Sequence, residues 1–340
     1  MIGKGKILIV GQGLAGSILA FELLKNKIPF EIWNHSDTYF TSSMAAGGIF
    51  NPVTGRKLEN TWLAKELFDY LPAFYKGLEE ILQEKFFFPS KMFRPFGNDN
   101  SKNWLLERKE LVDNNYVEWS DEEGVWINQA GWVDVPKLLL KSRNYFQSLG
   151  IYKDIKFEHE WISNPIQKSF QIQGMEFERI LFAEGFHAQK SNPFFKNLCY
   201  LPAKGELLQI SIPNYSQNYI LSKNGFLFPI KDDLFKVGAT YRWNEFTNQS
   251  TADSLEELKD KLRQFGIKNY TILQQEVGVR PATQDRRPFI GFLPNSNLGI
   301  FNGFGSKGVS LIPYFAKEFL KEWSGEKNLP NEVSIRRFYI

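Results

Sequence analysis

Cysteine and histidine are almost absent from this sequence. Its 340 residues include one cysteine and three histidines. A single thiol excludes a disulfide within the chain, and so few nitrogen and sulfur ligands lead us to predict no metal site. The cysteine, Cys199, lies between Leu198 and Tyr200. This apolar setting favours a packed side chain over a nucleophile or a covalent cofactor attachment point.

Long apolar runs and a large net charge are also absent. No stretch approaches the roughly 18 consecutive apolar residues of a membrane-spanning helix. The 41 basic and 38 acidic residues leave a net charge of only +3, which does not indicate a nucleic-acid surface. The apolar N-terminal segment is interrupted by Gly11 and Gly13, unlike the core of a signal peptide. We therefore expect a cytoplasmic protein with no membrane span and no nucleic-acid partner, and no pattern assigns an oligomeric state.

A short apolar run precedes a glycine-rich turn near the start of the chain. Lys6–Val10 is rich in β-branched residues and predicts a buried parallel strand. Gly11–Gly16 follows with the spacing G-x-G-x-x-G, and the apolar pattern after it predicts a helix to about Lys25. A second strand is predicted over Phe30–Trp33. A glycine turn in this context is typical of dinucleotide binding.

Each glycine of this turn has a separate predicted role. Gly11 permits the tight turn, Gly13 lets the backbone approach a pyrophosphate, and Gly16 lets the helix pack against the strand. The phosphates then face the first turn of the helix, where the free N–H groups attract anions. That turn includes Leu14 and Ala15, so we predict that these two residues also contact the cofactor.

The end of the second predicted strand departs from the usual pattern. An acidic residue about 20 positions after the glycines normally holds the ribose hydroxyls. Here the strand ends in Asn34 and His35, and Glu31 is less well placed within the strand. An asparagine can hydrogen-bond to a hydroxyl, but without the strength that a charge adds. We expect Asn34 and His35 to contact the cofactor and to anchor its adenosine part more weakly.

Two further segments of small residues are candidate parts of the same site. The loop after the second strand contains an Ala-Ala-Gly-Gly sequence that is too apolar for a typical exposed loop, although a flexible surface loop is the alternative. The loop residues predicted to contact the cofactor are Ser42, Ser43, Ala46, Gly47 and Gly48. A third buried strand is predicted over Arg179–Phe182, and Ala183 and Gly185 directly after it are assigned to the same site.

A second glycine-rich segment lies near the end of the chain, between a predicted strand over Leu298–Phe301 and a predicted helix over Val309–Trp323. Its predicted cofactor-binding residues are Gly303, Gly305, Ser306, Lys307 and Gly308. The start of a helix can stabilise negative charge on the N1–C2=O edge of a reduced flavin. Two such segments at opposite ends of the chain indicate one long dinucleotide, FAD rather than NAD. Lys307 could hold the flavin, a substrate carboxylate or an oxygen intermediate; an exposed lysine after a plain turn is the alternative.

Arg280 is the candidate substrate-binding residue. It lies in the sequence Val277–Pro281, where the chain returns to the cofactor-binding part. A guanidinium group presents a rigid pair of donors that matches a carboxylate, and the adjacent proline restricts the backbone. The alternative is a structural salt bridge.

Between these segments the hydrophobic pattern changes to a period of two, which predicts an antiparallel sheet. The alternating segments are Glu206–Ile212, Phe226–Ile230 and Leu234–Tyr241. The stretch 86–132 is aromatic and is predicted to be irregular. A helix is predicted over Ser254–Phe265, beginning with a capping box of Ser254 and Glu257.

The order of these segments predicts an α/β (α+β) fold with two domains. A Rossmann-like FAD-binding domain is predicted to comprise residues 1–85, 133–200 and 275–340. A substrate domain built on an antiparallel sheet is inserted into it and comprises residues 86–132 and 201–274.

Several of these segments together resemble the D-amino-acid oxidase-like superfamily of FAD-dependent oxidoreductases, and glycine and sarcosine oxidases in particular. The resemblance extends over nearly the whole chain. The segments that carry it are Gly11–Gly16, Ser42–Gly48, Gly131–Asp134, Ala203–Glu206, Val237–Thr240, Gly278–Gly291 and Asn302–Phe304.

The resemblance implies a p-hydroxybenzoate-hydroxylase-like (GR2-type) FAD domain, an antiparallel substrate domain, and hydride transfer from a carbon that bears nitrogen to flavin N5. The product imine is then hydrolysed. It implies that Arg280 grips the substrate carboxylate and that Tyr241 lies near the substrate. The cysteine that links flavin in sarcosine oxidases has no counterpart in the C-terminal third, so non-covalent FAD is implied. Asn34 and the segment Gly303–Gly308 depart from the family pattern.

We therefore predict an FAD-dependent oxidase or dehydrogenase that oxidises the C–N bond of an amino acid or secondary amine. Its substrate is a small amine with a carboxylate, and the predicted catalytic residues are Arg280, Lys307 and Tyr241. The alternatives are oxidation of an aminomethyl group on a modified tRNA base, oxidation of a 2-hydroxy acid, and a non-catalytic flavin-binding scaffold.

Overall fold

The computed structural model describes residues 5–35, 42–120, 123–243 and 245–339. The α-helices of this part are α1 (Leu14–Lys25), α2 (Ala64–Leu82), α3 (Asp99–Leu106), α4 (Val135–Ser148), α5 (His187–Ser191), α6 (Ala252–Gln264) and α7 (Gly308–Ser324). The strands are β1 (Ile7–Val10), β2 (Phe30–Asn34), β3 (Ile49–Phe50), β4 (Val53–Thr54), β5 (Glu59–Asn60), β6 (Phe87–Pro95), β7 (Val117–Ser120), β8 (Gly124–Val133), β9 (Tyr152–Asp154), β10 (Phe170–Ile172), β11 (Met175–Phe177), β12 (Arg179–Phe182), β13 (Ala203–Ser211), β14 (Ile220–Ser222), β15 (Phe226–Lys231), β16 (Leu234–Gly238), β17 (Thr271–Arg280), β18 (Phe289–Phe292) and β19 (Leu298–Asn302).

A six-stranded sheet with the strand order β18-β19-β12-β1-β2-β9 joins both ends of the chain. All neighbouring strands are parallel except β18, which is antiparallel to β19 at the edge. Helices α1 and α7 pack together on one face, and Ile18, Phe301 and Phe315 lie in the fully buried core there. The predicted βαβ unit at the start of the chain is present.

A nine-stranded sheet forms the second layer, with the order β17-β13-β16-β15-β14-β6-β8-β3 and β7 paired to β8. Its pairs are antiparallel apart from β14 with β6. The prediction that 86–132 is irregular was wrong, because β6 and β8 are its two long strands. Half-buried aromatic residues, such as the edge-on pair Phe88 and Trp132, lie between the fully buried residues of these strands, so the period of two is hidden.

We propose that the two sheets are the cores of the two domains predicted from the sequence. The predicted boundaries do not follow the sheets everywhere, since β3 and the end of β17 pair into the nine-stranded sheet. None of the helices in the described ranges is long and apolar enough to cross a bilayer.

Cys199 is exposed, so the prediction that it is packed was wrong. The Tyr200 N–H donates to the Leu198 carbonyl oxygen at 2.7 Å, so Cys199 is the central residue of a tight turn. The side chains of Leu198 and Tyr200 on either side are buried, and that of Cys199 faces outward.

Helix α6 covers the outer face of the nine-stranded sheet. Leu258 and Leu262 are fully buried against Phe235 and Val237. The helix begins earlier than predicted: Thr251 is the N-cap, and its Oγ1 accepts a hydrogen bond from the Ser254 N–H at 3.3 Å. The predicted capping box at Ser254 was therefore wrong.

Thr251→Ala and Ser254→Ala should affect stability differently. Thr251 Oγ1 also donates to Glu206 Oε1 at 3.1 Å, so its loss removes a cap and a side-chain bond and should cost about 1–2 kcal/mol of unfolding free energy. Ser254 Oγ is buried and has no hydrogen-bond partner among the described residues, so its removal should be neutral or slightly stabilising. Urea unfolding measures both; equal losses would contradict this account of the helix start.

Candidate functional site

A cavity of about 560 Å³ lies at the carboxyl ends of the parallel strands, which is where ligands bind in sheets of this kind. One wall comes from the turns after β1, β2, β12 and β19. The opposite wall comes from the nine-stranded sheet, through Gly205, Phe226, Gly278 and Arg280. The cavity therefore lies between the two sheets.

At two of the three positions in the turn after β1, nearby backbone atoms leave room for glycine only. Gly11 has φ of 103°, and a Cβ there would lie 2.6 Å from the carbonyl oxygen of Ala183. A Cβ on Gly16 would overlap the carbonyl oxygen of Gly11. At Gly13 a Cβ would meet only Ser43 Oγ, at 3.5 Å, so this position leaves open space in front of helix α1.

The first turn of α1 faces the cavity with its N–H groups. Gly13, at the N-cap position, offers no side-chain acceptor, and the Leu14 N–H donates to Ser43 Oγ at 3.2 Å. Free N–H groups and the positive end of the helix dipole attract phosphate oxygens. With the open space at Gly13, this arrangement fits the pyrophosphate of a dinucleotide such as FAD, which Gly13, Leu14, Ala15 and Ser43 would hold.

Asn34 fixes the glycine turn to the end of β2. Its Oδ1 accepts the Gln12 N–H at 2.9 Å, and its Nδ2 donates to the His35 carbonyl at 3.1 Å. Both Asn34 and His35 line the cavity. Glu31 does not line it, because its carboxylate bonds to Lys153 Nζ at 3.2 Å and to Trp33 Nε1 at 2.9 Å.

Most of the residues predicted for the site line this one cavity. They are Gly11, Gly13, Leu14, Ala15, Asn34, His35, Ser42, Ser43, Ala46, Gly47, Gly48, Ala183, Gly185, Arg280, Gly305, Ser306 and Gly308. Gly16, Gly303, Lys307 and Tyr241 are not among its lining residues. Gly303 has φ of 82° and serves the turn after β19, where a Cβ would lie 2.8 Å from Thr283 Cγ2.

Lys307 points toward helix α2 and not into the cavity. Its Nζ donates to Thr61 Oγ1, and it forms no ion pair with a described residue. Burial, together with the positive charges of the nearby Arg286 and Arg287, lowers the pKa of Lys307 to about 8.

Arg280 ends β17 and lies across Gly205, where a Cβ would overlap the guanidinium group. Its Nη1 and Nη2 lie 3.5 and 3.4 Å from the Thr240 carbonyl oxygen, and the group stacks 5.0 Å from the ring of Tyr241. Burial lowers the pKa of Arg280, yet a guanidinium group stays protonated. No described carboxylate pairs with it, so the salt-bridge alternative does not describe this arginine. Tyr241 itself is 43% exposed.

His159 and Glu184 form a polar cluster in the cavity that was not predicted. His159 Nε2 lies 2.9 Å from Glu184 Oε1, and Asn192 Nδ2 donates to Glu184 Oε2 at 2.7 Å. His159 belongs to a short 3-10 turn without a motif, so only the structure brings it to β12. Glu184 does lie between two predicted residues, Ala183 and Gly185, which was the available signal.

Comparison with known proteins agrees with this geometry. A sequence model of the DAO family, described as FAD dependent oxidoreductase, matches residues 6–321. This chain belongs to that family. The family is FAD-dependent, so the protein is an FAD-dependent oxidoreductase.

Individual relatives are distant. The chain is 24% identical over 334 residues to the bifunctional protein ThiO/ThiG of Synechocystis, covering 91% of this chain and 50% of that protein. It is 20% identical to the tRNA 5-methylaminomethyl-2-thiouridine biosynthesis bifunctional protein MnmC of Marinobacter nauticus, covering 93% of this chain and 55% of that protein. Glycine oxidase of Pseudomonas putida is 22% identical, covering 91% of both chains. The chain thus spans about half the length of the two bifunctional relatives.

The fold is shared with solved structures of the family. Glycine oxidase from Geobacillus kaustophilus superimposes with a TM-score of 0.77 at 18% identity, covering 95% of this chain and 96% of that chain. The predicted mixed α/β fold with an FAD-binding core is thereby confirmed.

Alanine substitutions at two glycines should separate cofactor binding from folding. Gly13→Ala should weaken FAD binding at least about tenfold while leaving the melting temperature of the FAD-free protein nearly unchanged, because the new methyl makes only an ordinary contact with Ser43 Oγ and otherwise occupies the cofactor space. Gly16→Ala should lower both the FAD affinity and the melting temperature, because its methyl overlaps the carbonyl oxygen of Gly11. Flavin fluorescence titration and thermal unfolding measure the two effects.

Gly77→Ala is the matched control, since Gly77 lies in α2 with nothing within 4 Å of a new Cβ. It should raise stability by up to about 1 kcal/mol without changing FAD affinity. Equal effects of Gly13→Ala and Gly77→Ala on FAD affinity would contradict the assignment of the phosphate site.

Lys307 should make stability depend on pH. Its folded pKa of about 8 lies below the unfolded value of 10.5, so between these pH values the unfolded chain holds the extra proton. Its contribution to the free energy of unfolding therefore rises with pH across this window, by about 1–3 kcal/mol. Lys307→Met should remove that rise in urea unfolding from pH 7.5 to 10; parallel curves for both proteins would contradict it.

Proposed function

We propose that this FAD-dependent oxidoreductase oxidises the C–N bond of an amino acid or secondary amine that carries a carboxylate. The observation that supports it is Arg280, a largely buried cation that lines the cavity without a carboxylate partner among the described residues. A buried charge without a counter-ion is costly, and a bound carboxylate would supply one.

The surroundings of Arg280 favour a small anionic ligand over a structural role. Gly205 and Gly278 lie side by side in the register of β13 and β17, so the sheet has no side chains there that would fill the space. Two nitrogens of the guanidinium group face Thr240 only at long distance, which leaves their stronger hydrogen bonds available to a carboxylate.

The chain would bind and orient the reactants, and FAD, held by the turns after β1, β2, β12 and β19, would supply the two-electron oxidation. Arg280 would fix the carboxylate end of the amine and thus the direction of its α-carbon. Tyr241, stacked on Arg280, would hold the guanidinium plane. The 3-10 turn at Gly305–Lys307 and the start of α7 at Gly308 would favour negative charge on the flavin.

The glycine oxidase of Pseudomonas putida, which this chain matches over nearly its full length, supports a small amino acid as substrate. A second candidate is an aminomethyl group on a modified tRNA base, because a relative named for tRNA 5-methylaminomethyl-2-thiouridine biosynthesis also matches. The two differ in the size of the substrate and in the dependence of binding on salt.

Anaerobic bleaching of the flavin tests the reaction class. We expect reduction by at least one compound among glycine, sarcosine, D-amino acids and L-proline, and none by 2-hydroxy acids. Reduction only by hydroxy acids would exclude C–N oxidation. Salt-sensitive binding of tRNA together with bleaching by modified tRNA alone would favour the second candidate.

Arg280→Ala should raise the substrate concentration that gives half-maximal flavin reduction by about 100-fold or more, because a charged, bidentate contact is lost. Arg280→Lys should retain only part of the affinity, since an ammonium lacks the planar pair of donors. Stopped-flow reduction with carboxylate-bearing amines measures both.

Arg263→Ala is the control, because Arg263 pairs with Asp260 on the solvent-exposed face of helix α6, away from the cavity. An amine that lacks a carboxylate provides a second control, and its reduction rate should be the same in wild type and Arg280→Ala. An unchanged half-maximal concentration for carboxylate substrates would remove Arg280 from the site.

A further inference from the structure

The face of the nine-stranded sheet that carries Arg280 continues into a second cavity of about 840 Å³, which we call the distal cavity. Side chains on one face of a strand recur every second residue, so Arg280, Gly278 and Glu276 of β17 share this face. Gly278 lines the first cavity and Glu276 the distal one. Arg280 and Glu276 are four residues apart, about 13 Å along the strand.

The two cavities adjoin, because four residues line both of them. Ala45, Ala46, Gly47 and Asn248 line both of them. At the boundary the backbone of Gly47 approaches the ring of Phe226, where a Cβ would lie 3.0 Å from Cζ.

Aromatic rings form the apolar part of the distal cavity. The ring centroids of Phe88 and Trp132 are 4.0 Å apart at 89°, and those of Trp132 and Phe228 are 5.5 Å apart. Such a set offers both ring faces and ring edges to a planar ligand.

The polar part of the distal cavity is not explained by folding. Lys236 Nζ pairs with Glu276 Oε2 at 2.9 Å, and both side chains are about 11% exposed. The Gln209 amide, one strand away, has no hydrogen bond to a described residue. The opposite face of the same strands is apolar and packs on α6, so hydrophobic residues would serve stability here at least as well.

We propose that the distal cavity binds the nitrogen substituent of the substrate, a planar heteroaromatic group whose polar edge is read by Gln209, Lys236 and Glu276. The inference rests on the proposed function, in which Arg280 holds the carboxylate. The substrate is then an N-(heteroarylmethyl) amino acid or a larger amine of this class, and a free amino acid such as glycine fills only the Arg280 end.

Binding of unreactive analogues to the FAD-loaded protein tests this without turnover. In (methylthio)acetate, (benzylthio)acetate and (quinolinylmethylthio)acetate, sulfur replaces the amine nitrogen, so none of the three has an amine C–N bond to oxidise. Isothermal calorimetry should show at least tenfold tighter binding of the benzyl compound than of the methyl compound, because a ring leaves water. The quinolinyl compound should bind tighter again. Equal or weaker binding of the ring compounds overturns the proposal.

Two variants locate the ring. Leu234→Trp fills the distal cavity and should abolish the advantage of both ring compounds while leaving binding of (methylthio)acetate within twofold. Gln209→Leu should remove only the quinolinyl advantage over benzyl. Ile272→Trp makes a comparable change on the exposed edge strand β17, outside the cavity, and should change nothing. An undiminished ring advantage in Leu234→Trp would also overturn the proposal.

Flavin content and melting temperature establish that each variant is folded. The anaerobic bleaching series decides the proposed function separately. If small amines reduce the flavin but rings add no affinity, C–N oxidation stands and the distal cavity is not a substrate site. If the ring compounds bind more tightly than the methyl compound, and Leu234→Trp abolishes this advantage, but no amine reduces the flavin, the cavity assignment stands and the reaction class is wrong.

Discussion

The position of β12 between β1 and β19 is the constraint on which the site depends. The parallel register pairs Val10 with Phe182 and Phe182 with Ile300, so three strands from distant parts of the chain end at one edge of the sheet. The turns that follow are then forced together. The carbonyl oxygen of Ala183 lies against Gly11, and Asn302 Nδ2 donates to the Gly185 carbonyl at 2.8 Å. A cofactor that contacts all three turns thus stabilises the closure of both chain ends at once.

The opposite wall of the site depends on two positions in its strands that have no side chain. Gly205 and Gly278 are neighbours in register, and the loop over Ser42–Gly48 crosses the sheet close enough that a Cβ on Gly278 would lie 3.0 Å from the Ser42 Cα. A side chain at Gly278 would press on this loop, and one at Gly205 would displace the Arg280 guanidinium group. Glycine here therefore sets the width of the cavity, and Arg280 at the end of the same strand supplies its charge.

Local patterns predicted the parts of this protein in which neighbouring residues decide the structure. The unit β1-α1-β2 and strand β12 follow from short apolar runs bounded by glycine, and most of the predicted cofactor residues line one cavity. The prediction failed where a distant partner decides. Strands β6 and β8 exist because they pair with each other, and the cap of α6 is Thr251 because Glu206 holds it in place.

The direction in which a side chain points was the second feature that could not be predicted from the sequence. Lys307 lies beside cavity-lining Ser306 and Gly308, yet it turns to Thr61, about 246 positions away in the chain. His159 has no motif and reaches the cavity only because its carboxylate partner Glu184 follows β12. Neither fact is encoded in spacing, since both depend on how the layers stack.

Asn34 has a further consequence for how the cofactor end of the molecule responds to acid. In the usual pattern a carboxylate occupies the end of the second strand, and such a group gains a proton in mildly acidic solution. An amide has no such transition. The bond from the Gln12 N–H to Asn34 Oδ1 therefore keeps its acceptor at every pH at which the protein is folded, so acidification does not release the glycine turn from the end of β2.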